Sequence, residues 1–475
     1  MNVSAINPGK TSRVFKRVLK RMDMLLFTVC AILIIDQLAA SAAIGTSSIF
    51  WWVFTLFLFF IPYGLITAEL ASKYPEQGGI YAWVKRAYGP RWGARTSWLY
   101  WVNVALWMPS VYLLFSGMLA QILNIELGLW PQIILAIALT WITVWINIAS
   151  LEIGKWVPNI GAILKAVIML AIGFGGIWYA SQHGIANDFS MKNMLPKWSD
   201  GLGFLPVIVY NFLGFELMSG ASEEMENPQQ DALGSIVMSG ILITLFYLLG
   251  TIGILIALPV DQINLVEGLI DTLRKIFGSG ATANVIVFAL GAAALYTLYA
   301  NMVTWTMGAN RSVAESAYRK DLPTIFGSLH PVHQTPRAAA WITGLVSTTV
   351  IVLYGLLASN AEDLFWTLFK FSTIIFLLPY LLMFPAFVAL RRKDLATGKA
   401  YTVPGGNGMA ALLAGICFVF IVQAIVLFVW VPGDPFLTYD TLAIVLGTLI
   451  VLIIGEVLIA RTRASNPVAD AGGAT

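Results

Sequence analysis

Apolar residues along this chain gather into long runs, unlike the strict alternation of a half-buried strand or the 3.6-residue stripe of a surface helix. The runs reach the roughly 20 residues that a helix needs to cross a hydrocarbon core, and Pro, Gly and charged residues separate them. In chain order they predict twelve transmembrane helices, at residues 24–45, 49–72, 94–123, 131–150, 158–181, 204–221, 233–258, 283–312, 338–358, 363–390, 409–432 and 440–460. The third and eighth are long enough to tilt or to project beyond the bilayer. Between the second and third, residues 76–90 (EQGGIYAWVKRAYGP) hold two chain-breaking glycines and Tyr81, Trp83 and Tyr88 beside Lys85 and Arg86. That mixture predicts a short interfacial helix.

Composition agrees with a chain whose main solvent is lipid. Of 475 residues, 58% are hydrophobic and 11% charged, against roughly a quarter charged in a soluble domain. The net charge of +3 is too small to imply a nucleic-acid partner. Cys30 and Cys417 both sit inside apolar runs and read as small core residues. With three histidines, His183, His330 and His333, all in loops, no metal site or cofactor is expected.

Charge also orients the spans, because Lys- and Arg-rich loops stay cytoplasmic. With the N-terminus inside, inner segments hold 22 of the 28 basic residues and outer loops hold four, Lys192, Lys197, Arg274 and Lys275. Both termini are therefore expected in the cytoplasm, with the chain a multi-pass protein of the cytoplasmic (inner) membrane. The basic segment 1–23 before an apolar run could be a signal peptide. It lacks a small-residue cleavage site ahead of a soluble domain, so it reads as a cytoplasmic segment before the first span. Residues 461–475 read as a disordered cytoplasmic tail.

Four charges lie within spans, where each costs several kcal/mol unless it faces a cavity or a partner. Asp36 and Glu216 each lie thirteen residues into their spans, the first and the sixth, about 20 Å deep at 1.5 Å per residue. Lys165 and Lys370 are each eighth in the fifth and tenth. An inverted repeat of five helices would superpose span 1 on 6 and span 5 on 10, acid on acid and lysine on lysine. Depth and residue type carry this reading; sequence identity between the halves does not. It divides the chain into a first repeat at 24–181, a second at 204–390, and two peripheral helices at 409–460. Small residues from Ala39 to Ala43 with Gly45, and Gly214 and Gly220 around Glu216, permit close packing or unwinding. Packing alone leaves the two acids unexplained, which favours a site at two broken helices.

Several stretches then resemble the amino acid, polyamine and organocation transporter superfamily, and within it the glutamate:GABA antiporters. They are FFIPYGLITAEL (59–70), YPEQGGIYAWVKRAYGPRWG (74–93), WMPSVYLLFSGML (107–119), GFE with EEMENPQQD (214–231), TWTMGANRSVAESAYRKDLP (304–323) and IIFLLPYLLMF (374–384). The resemblance implies an all-α fold of ten core helices in two inverted repeats plus two peripheral ones. Substrate would sit where helices 1 and 6 unwind, at Ile35 to Ser41, including Ala40, and at Phe215 with Glu216. It implies Tyr380 near substrate and Lys165 in place of a sodium ion. The Gly-Ser-Gly run common in helix 1 of the superfamily is absent, which weakens any claim that backbone amides there grip a carboxylate.

Asp36 offers a substrate amine a countercharge in low dielectric, or else forms a structural ion pair with Lys165 or Lys370. Lys165 is a coupling residue that could shed its proton when buried, or a charged tie from helix 5 to helix 1 carbonyls. Lys370 could receive a carboxylate or snorkel toward the outer face; Glu216 is a gate or a structural hydrogen-bonding group. Tyr210, Tyr296, Tyr299, Trp107 and Trp305 could line a cavity with cation-π faces, or simply pack. The function expected is secondary transport of amino acids or related amines, by antiport or proton coupling with alternating access. Acidic amino acid exchange is the alternative. An integral membrane enzyme lacks any HExxH, GxSxG or CxxC constellation to support it, and a receptor would normally append a soluble domain. The partners expected are a small-molecule substrate and membrane lipid, with proton coupling and the choice between monomer and homodimer open.

Overall fold

A backbone in hydrocarbon has no water to bond, so each crossing must satisfy its own N–H and C=O groups, and here helices do so. The computed structural model describes residues 17–149, 154–196, 205–264, 268–393, 400–433, 435 and 439–465. Its helices are α1 (Arg21–Ile32), α2 (Leu38–Ala42), α3 (Ser48–Lys73), α4 (Ile80–Tyr88), α5 (Pro90–Leu123), α6 (Leu129–Ile148) and α7 (Trp156–His183). There follow α8 (Leu205–Asn211), α9 (Pro228–Ala257), α10 (Gly268–Phe277), α11 (Ala281–Tyr318), α12 (Arg337–Gly355), α13 (Ala361–Lys393), α14 (Gly406–Val429) and α15 (Tyr439–Ala464). The fold is all-α and polytopic.

Among the described residues, ten helices are long and apolar enough to cross a membrane. The other two predicted spans, the first and the sixth, are each broken. The first becomes α1, an extended pair at Leu33 and Ile34, a 3-10 turn at Ile35–Gln37 and then α2. The sixth becomes α8, an irregular stretch and 3-10 turns over Leu217–Glu224. Neither half of a broken helix is long enough to span alone. The expected long helices are α5, with 34 residues, and α11, with 38.

The core helices α11 and α13 each pack on α5, α9 packs on α7, and α1 lies against α7, α9 and α11. α6, α14 and α15 turn large apolar side chains outward, Trp145, Leu412, Val419 and Ile453 among them. That is the surface lipid requires. The interfacial helix expected in 76–90 is α4, placed by Gly79 at φ +53°. A Cβ at Gly79 would meet the Gly220 nitrogen at 3.0 Å, so glycine alone lets this loop lie on the turn that follows the second break.

Buried ion pairs close the end of the bundle that carries most basic residues. Glu69 pairs with Arg391 and, at 2.8 Å, with Lys73; Glu224 pairs with Arg311 at 2.6 Å; Asp321 takes Lys85 at 2.5 Å. Leu19 bridges to Met225, and the Val18 and Leu19 N–H groups donate to the Glu224 carbonyl at 3.0 and 3.1 Å. Glu456 on α15 pairs with Arg95 and with Arg91 at 3.4 Å on α5. Residues 1–16 and 466–475, with most of the basic segment and the tail, lie outside the described residues.

Candidate substrate site

Breaking a helix orphans its last carbonyls, and buried carbonyls need donors. At the end of α1 three side chains supply them in succession. Lys165 Nζ donates to the Cys30 oxygen at 2.6 Å, Trp305 Nε1 to Ala31 at 3.0 Å, and the Tyr247 hydroxyl to Ile32 at 2.5 Å. Beyond the gap, the Ile34 N–H donates back to the Tyr247 oxygen at 2.7 Å. The break is thus a built feature, held from α7, α9 and α11.

The second break is held in the same manner. Gly214 has φ +131°, and a Cβ there would meet Ile32 at 3.0 Å and the Trp305 ring at 3.1 Å. The freed N–H groups of Gly214 and Phe215 donate to the Tyr63 hydroxyl at 3.0 and 2.9 Å. Tyr247 also lies 3.1 Å from the Asn211 carbonyl, so its single proton can serve either break. Asn211 Nδ2 donates to Ser41 Oγ at 3.2 Å, and Ser41 donates to the Gln37 carbonyl at 3.0 Å. The two breaks are therefore joined by hydrogen bonds.

Glu216 follows the second break and is 1% exposed. Its carboxylate accepts from three phenols: Tyr380 at 2.6 Å and Tyr100 at 2.8 Å on one oxygen, and Tyr63 on the other. Those donors come from α13, α5 and α3. Phe376 stands edge-on to Tyr210, Trp305 and Tyr380, with ring centroids 5.7, 5.1 and 5.2 Å away. Trp107 stands edge-on to Tyr210 and Trp305 at 6.2 and 5.9 Å, and its buried Nε1 has no hydrogen-bond partner among the described residues. The result is a midplane region of aromatic faces, a carboxylate and an orphan indole donor.

The residues singled out from sequence fall into three groups. Ile35, Ala40, Ser41, Tyr210, Phe215, Glu216, Tyr380, Trp107 and Lys165 lie at the breaks or in the aromatic cluster and are buried. Lys165, fully buried, also donates to Asn301 Oδ1 at 3.0 Å. Tyr296 is half-buried elsewhere, donating to the Val157 carbonyl at 3.4 Å; nine residues from Trp305, it lies on the opposite face of α11. Lys370 lines a recess between the end of α12 and α15, apart from the breaks. Asp36 belongs to the 3-10 turn of the first break by its backbone, and its side chain lies outside the described residues. Sequence reasoning missed Tyr63, Tyr100, Tyr247 and Asn211. The usable signal was that a tyrosine buried in an apolar run needs a partner for its hydroxyl.

Comparison with known proteins accords with this geometry. A model of the amino acid permease family matches residues 19–454. A Lactococcus lactis protein named "Probable agmatine/putrescine antiporter AguD" is 33% identical over 442 residues, covering 92% of this chain and 93% of its own. An uncharacterised Legionella pneumophila transporter is 30% identical over 86% of this chain and 89% of its own. A glutamate/gamma-aminobutyrate antiporter of Lactococcus lactis is 22% identical over 78% of this chain and 75% of its own. With two broken helices at its centre and a family match along nearly its whole length, the chain belongs to the amino acid permease family of multi-pass membrane transporters.

Proposed function

We propose that this transporter is an amine antiporter, exchanging a guanidinium-bearing amine of the agmatine kind for a diamine of the putrescine kind. The observation that carries this is the character of the midplane. Glu216 brings a carboxyl group to the second break, and Asp36 belongs by its backbone to the turn of the first, while Lys165 donates to a backbone carbonyl and an amide oxygen. Aromatic rings around that region offer faces to a cation, an attraction of about 0.5–2 kcal/mol each. A dicationic amine suits two carboxylates; the relative named for agmatine and putrescine supports the same class.

One feature favours a second reading. The orphan Trp107 Nε1 is a donor, and a diamine has nothing to accept from it, whereas an amino acid carboxylate would. Exchange of amino acids, as in the name of the glutamate/gamma-aminobutyrate relative, is that alternative. Both readings use alternating access, with the first and second five-helix repeats at 24–181 and 204–390 moving about the breaks. The basic end of the bundle, with both termini, faces the cytoplasm by the distribution of lysine and arginine.

Proteoliposomes loaded with putrescine test the proposal. Labelled agmatine should enter only when the diamine is inside, and collapse of a pH gradient should leave the exchange running. Entry of labelled glutamate or gamma-aminobutyrate, with agmatine excluded, would establish the alternative. A strict requirement for the pH gradient would instead point to Lys165 as a coupling group. In that case Lys165→Ala should slow transport and change its dependence on pH between about 5 and 8.

A further inference from the structure

Away from the breaks, a recess of about 290 Å³ opens between the end of α12, the first turns of α13 and α15. Tyr354, Asp363, Trp366, Thr367, Lys370 and Ile444 line it, with Leu357 at its edge. Asp363, Thr367 and Lys370 recur at i, i+4 and i+7, which places them on one stripe of α13. Asp363 lies near the helix end and Lys370 seven residues deeper, about 10.5 Å along the axis.

Lys370 is half-buried and makes no hydrogen bond or ion pair among the described residues. An ammonium at this depth is costly unless it finds a partner or reaches water, so its exit into a recess calls for an occupant. Asp363 is held at the rim: its N–H donates to Asn360 Oδ1 at 2.9 Å, and its Oδ2 accepts from Asn360 Nδ2 at 2.7 Å. The other carboxylate oxygen remains for a ligand. Read inward from the helix end, the recess thus offers an anion, a hydroxyl and then a cation.

A phospholipid with a primary-amine headgroup presents the complementary order, its ammonium shallow and its phosphate deep. Beside the recess, Leu353, Leu356 and Leu357 are 55, 64 and 77% exposed and form a strip on which an acyl chain can lie. Tyr354 and Trp366 are the amphipathic aromatics that settle at headgroup level. We propose that this recess is a lipid site, with the phosphate of a phosphatidylethanolamine on Lys370 and its ammonium on Asp363. The site is separate from the transport breaks, on another face of α13 from the Phe369 and Phe376 rings that meet Tyr210.

Native mass spectrometry of the full chain, released from micelles of equal phosphatidylethanolamine, phosphatidylglycerol and phosphatidylcholine, tests the assignment. The wild type should retain phosphatidylethanolamine in preference to the other two. Lys370→Gln should lower retention of it roughly tenfold, Lys370→Arg should restore it, and Asp363→Asn should erase the headgroup preference while lipid is still retained. Asp363 is exposed, so its variant carries the test should Lys370→Gln fail to fold. Equal retention of phosphatidylethanolamine by wild type and Lys370→Gln would overturn the proposal, as would indiscriminate retention of all three lipids. Soluble phosphoethanolamine at millimolar concentration should not displace the lipid; displacement would mean that the recess serves a free zwitterion.

Discussion

The midplane and the basic end of the bundle both bury charge, and they handle it in opposite ways. At the basic end carboxylates meet cations: Glu69 with Arg391, Glu224 with Arg311, Asp321 with Lys85. At the midplane Glu216 is held by three phenols. An ion pair neutralises its members and fixes two elements together. A carboxyl group held by neutral hydroxyls is not matched to a cation by those contacts, which leaves it able to attract a cationic ligand. The first arrangement suits a closure and the second a site.

The comparison is broken most forcefully at Arg311. Arg311→Ala leaves Glu224 buried beside the Gln77 amide alone, a position expected to cost about 3–5 kcal/mol. Thermal unfolding in detergent should show it. The double change Arg311→Met with Glu224→Leu should recover most of that loss, because it removes both charges. A loss no larger than that of a surface substitution, about 0.5 kcal/mol, would show that the pair does not hold the basic end together.

At the midplane the expected loss is smaller in stability and larger in transport. Glu216→Gln keeps the volume but turns an NH2 group toward one of the phenols, removing a charge-assisted hydrogen bond of about 1.5–3 kcal/mol. Exchange should fall at least tenfold beyond what reduced folding explains. Wild-type exchange by a stable Glu216→Gln protein would make the carboxylate mere scaffold.

The smallest effect is expected at Asp23, where α1 meets Lys155 at 3.0 Å and Asn159 at 2.8 Å. Burial works against its charge, but the Lys20 N–H, the Lys155 ammonium and the Asn159 amide outweigh it and hold the carboxyl below its usual range. A depressed pKa stabilises the fold above the ordinary carboxylate value of about 3.9 and is lost as pH falls through the lower folded value. Asp23→Asn should therefore cost less than about 1 kcal/mol at neutral pH, given its partial exposure. The gap from wild type should narrow in unfolding curves only below about pH 4.

Much of this was legible in the sequence because the bilayer fixes the length of a crossing, so apolar runs mark spans with little ambiguity. The breaks were legible too, from a midspan acid among small residues. What the sequence could not place were partners drawn from distant spans. Tyr63, Tyr100 and Tyr380 lie 153, 116 and 164 residues from Glu216, and only packing brings them to one carboxylate. Likewise Lys165 and Lys370 share residue type and depth, yet one is sealed against a broken helix and the other opens into a recess. Tyr296 has the same chemistry as Tyr210 but bonds the Val157 carbonyl from another face of α11 than Trp305, which composition alone cannot distinguish.

The most direct test of the claim that midplane charge selects an amine is ligand affinity at Asp36. Purified wild type and Asp36→Asn, checked for equal thermal stability, should be titrated with agmatine, putrescine and glutamate. Removing the countercharge at constant volume should weaken both amines by about 1.5–3 kcal/mol, roughly a tenfold to hundredfold rise in Kd, and leave glutamate unchanged or improved. Unaltered amine affinity in a stable Asp36→Asn protein would contradict the account.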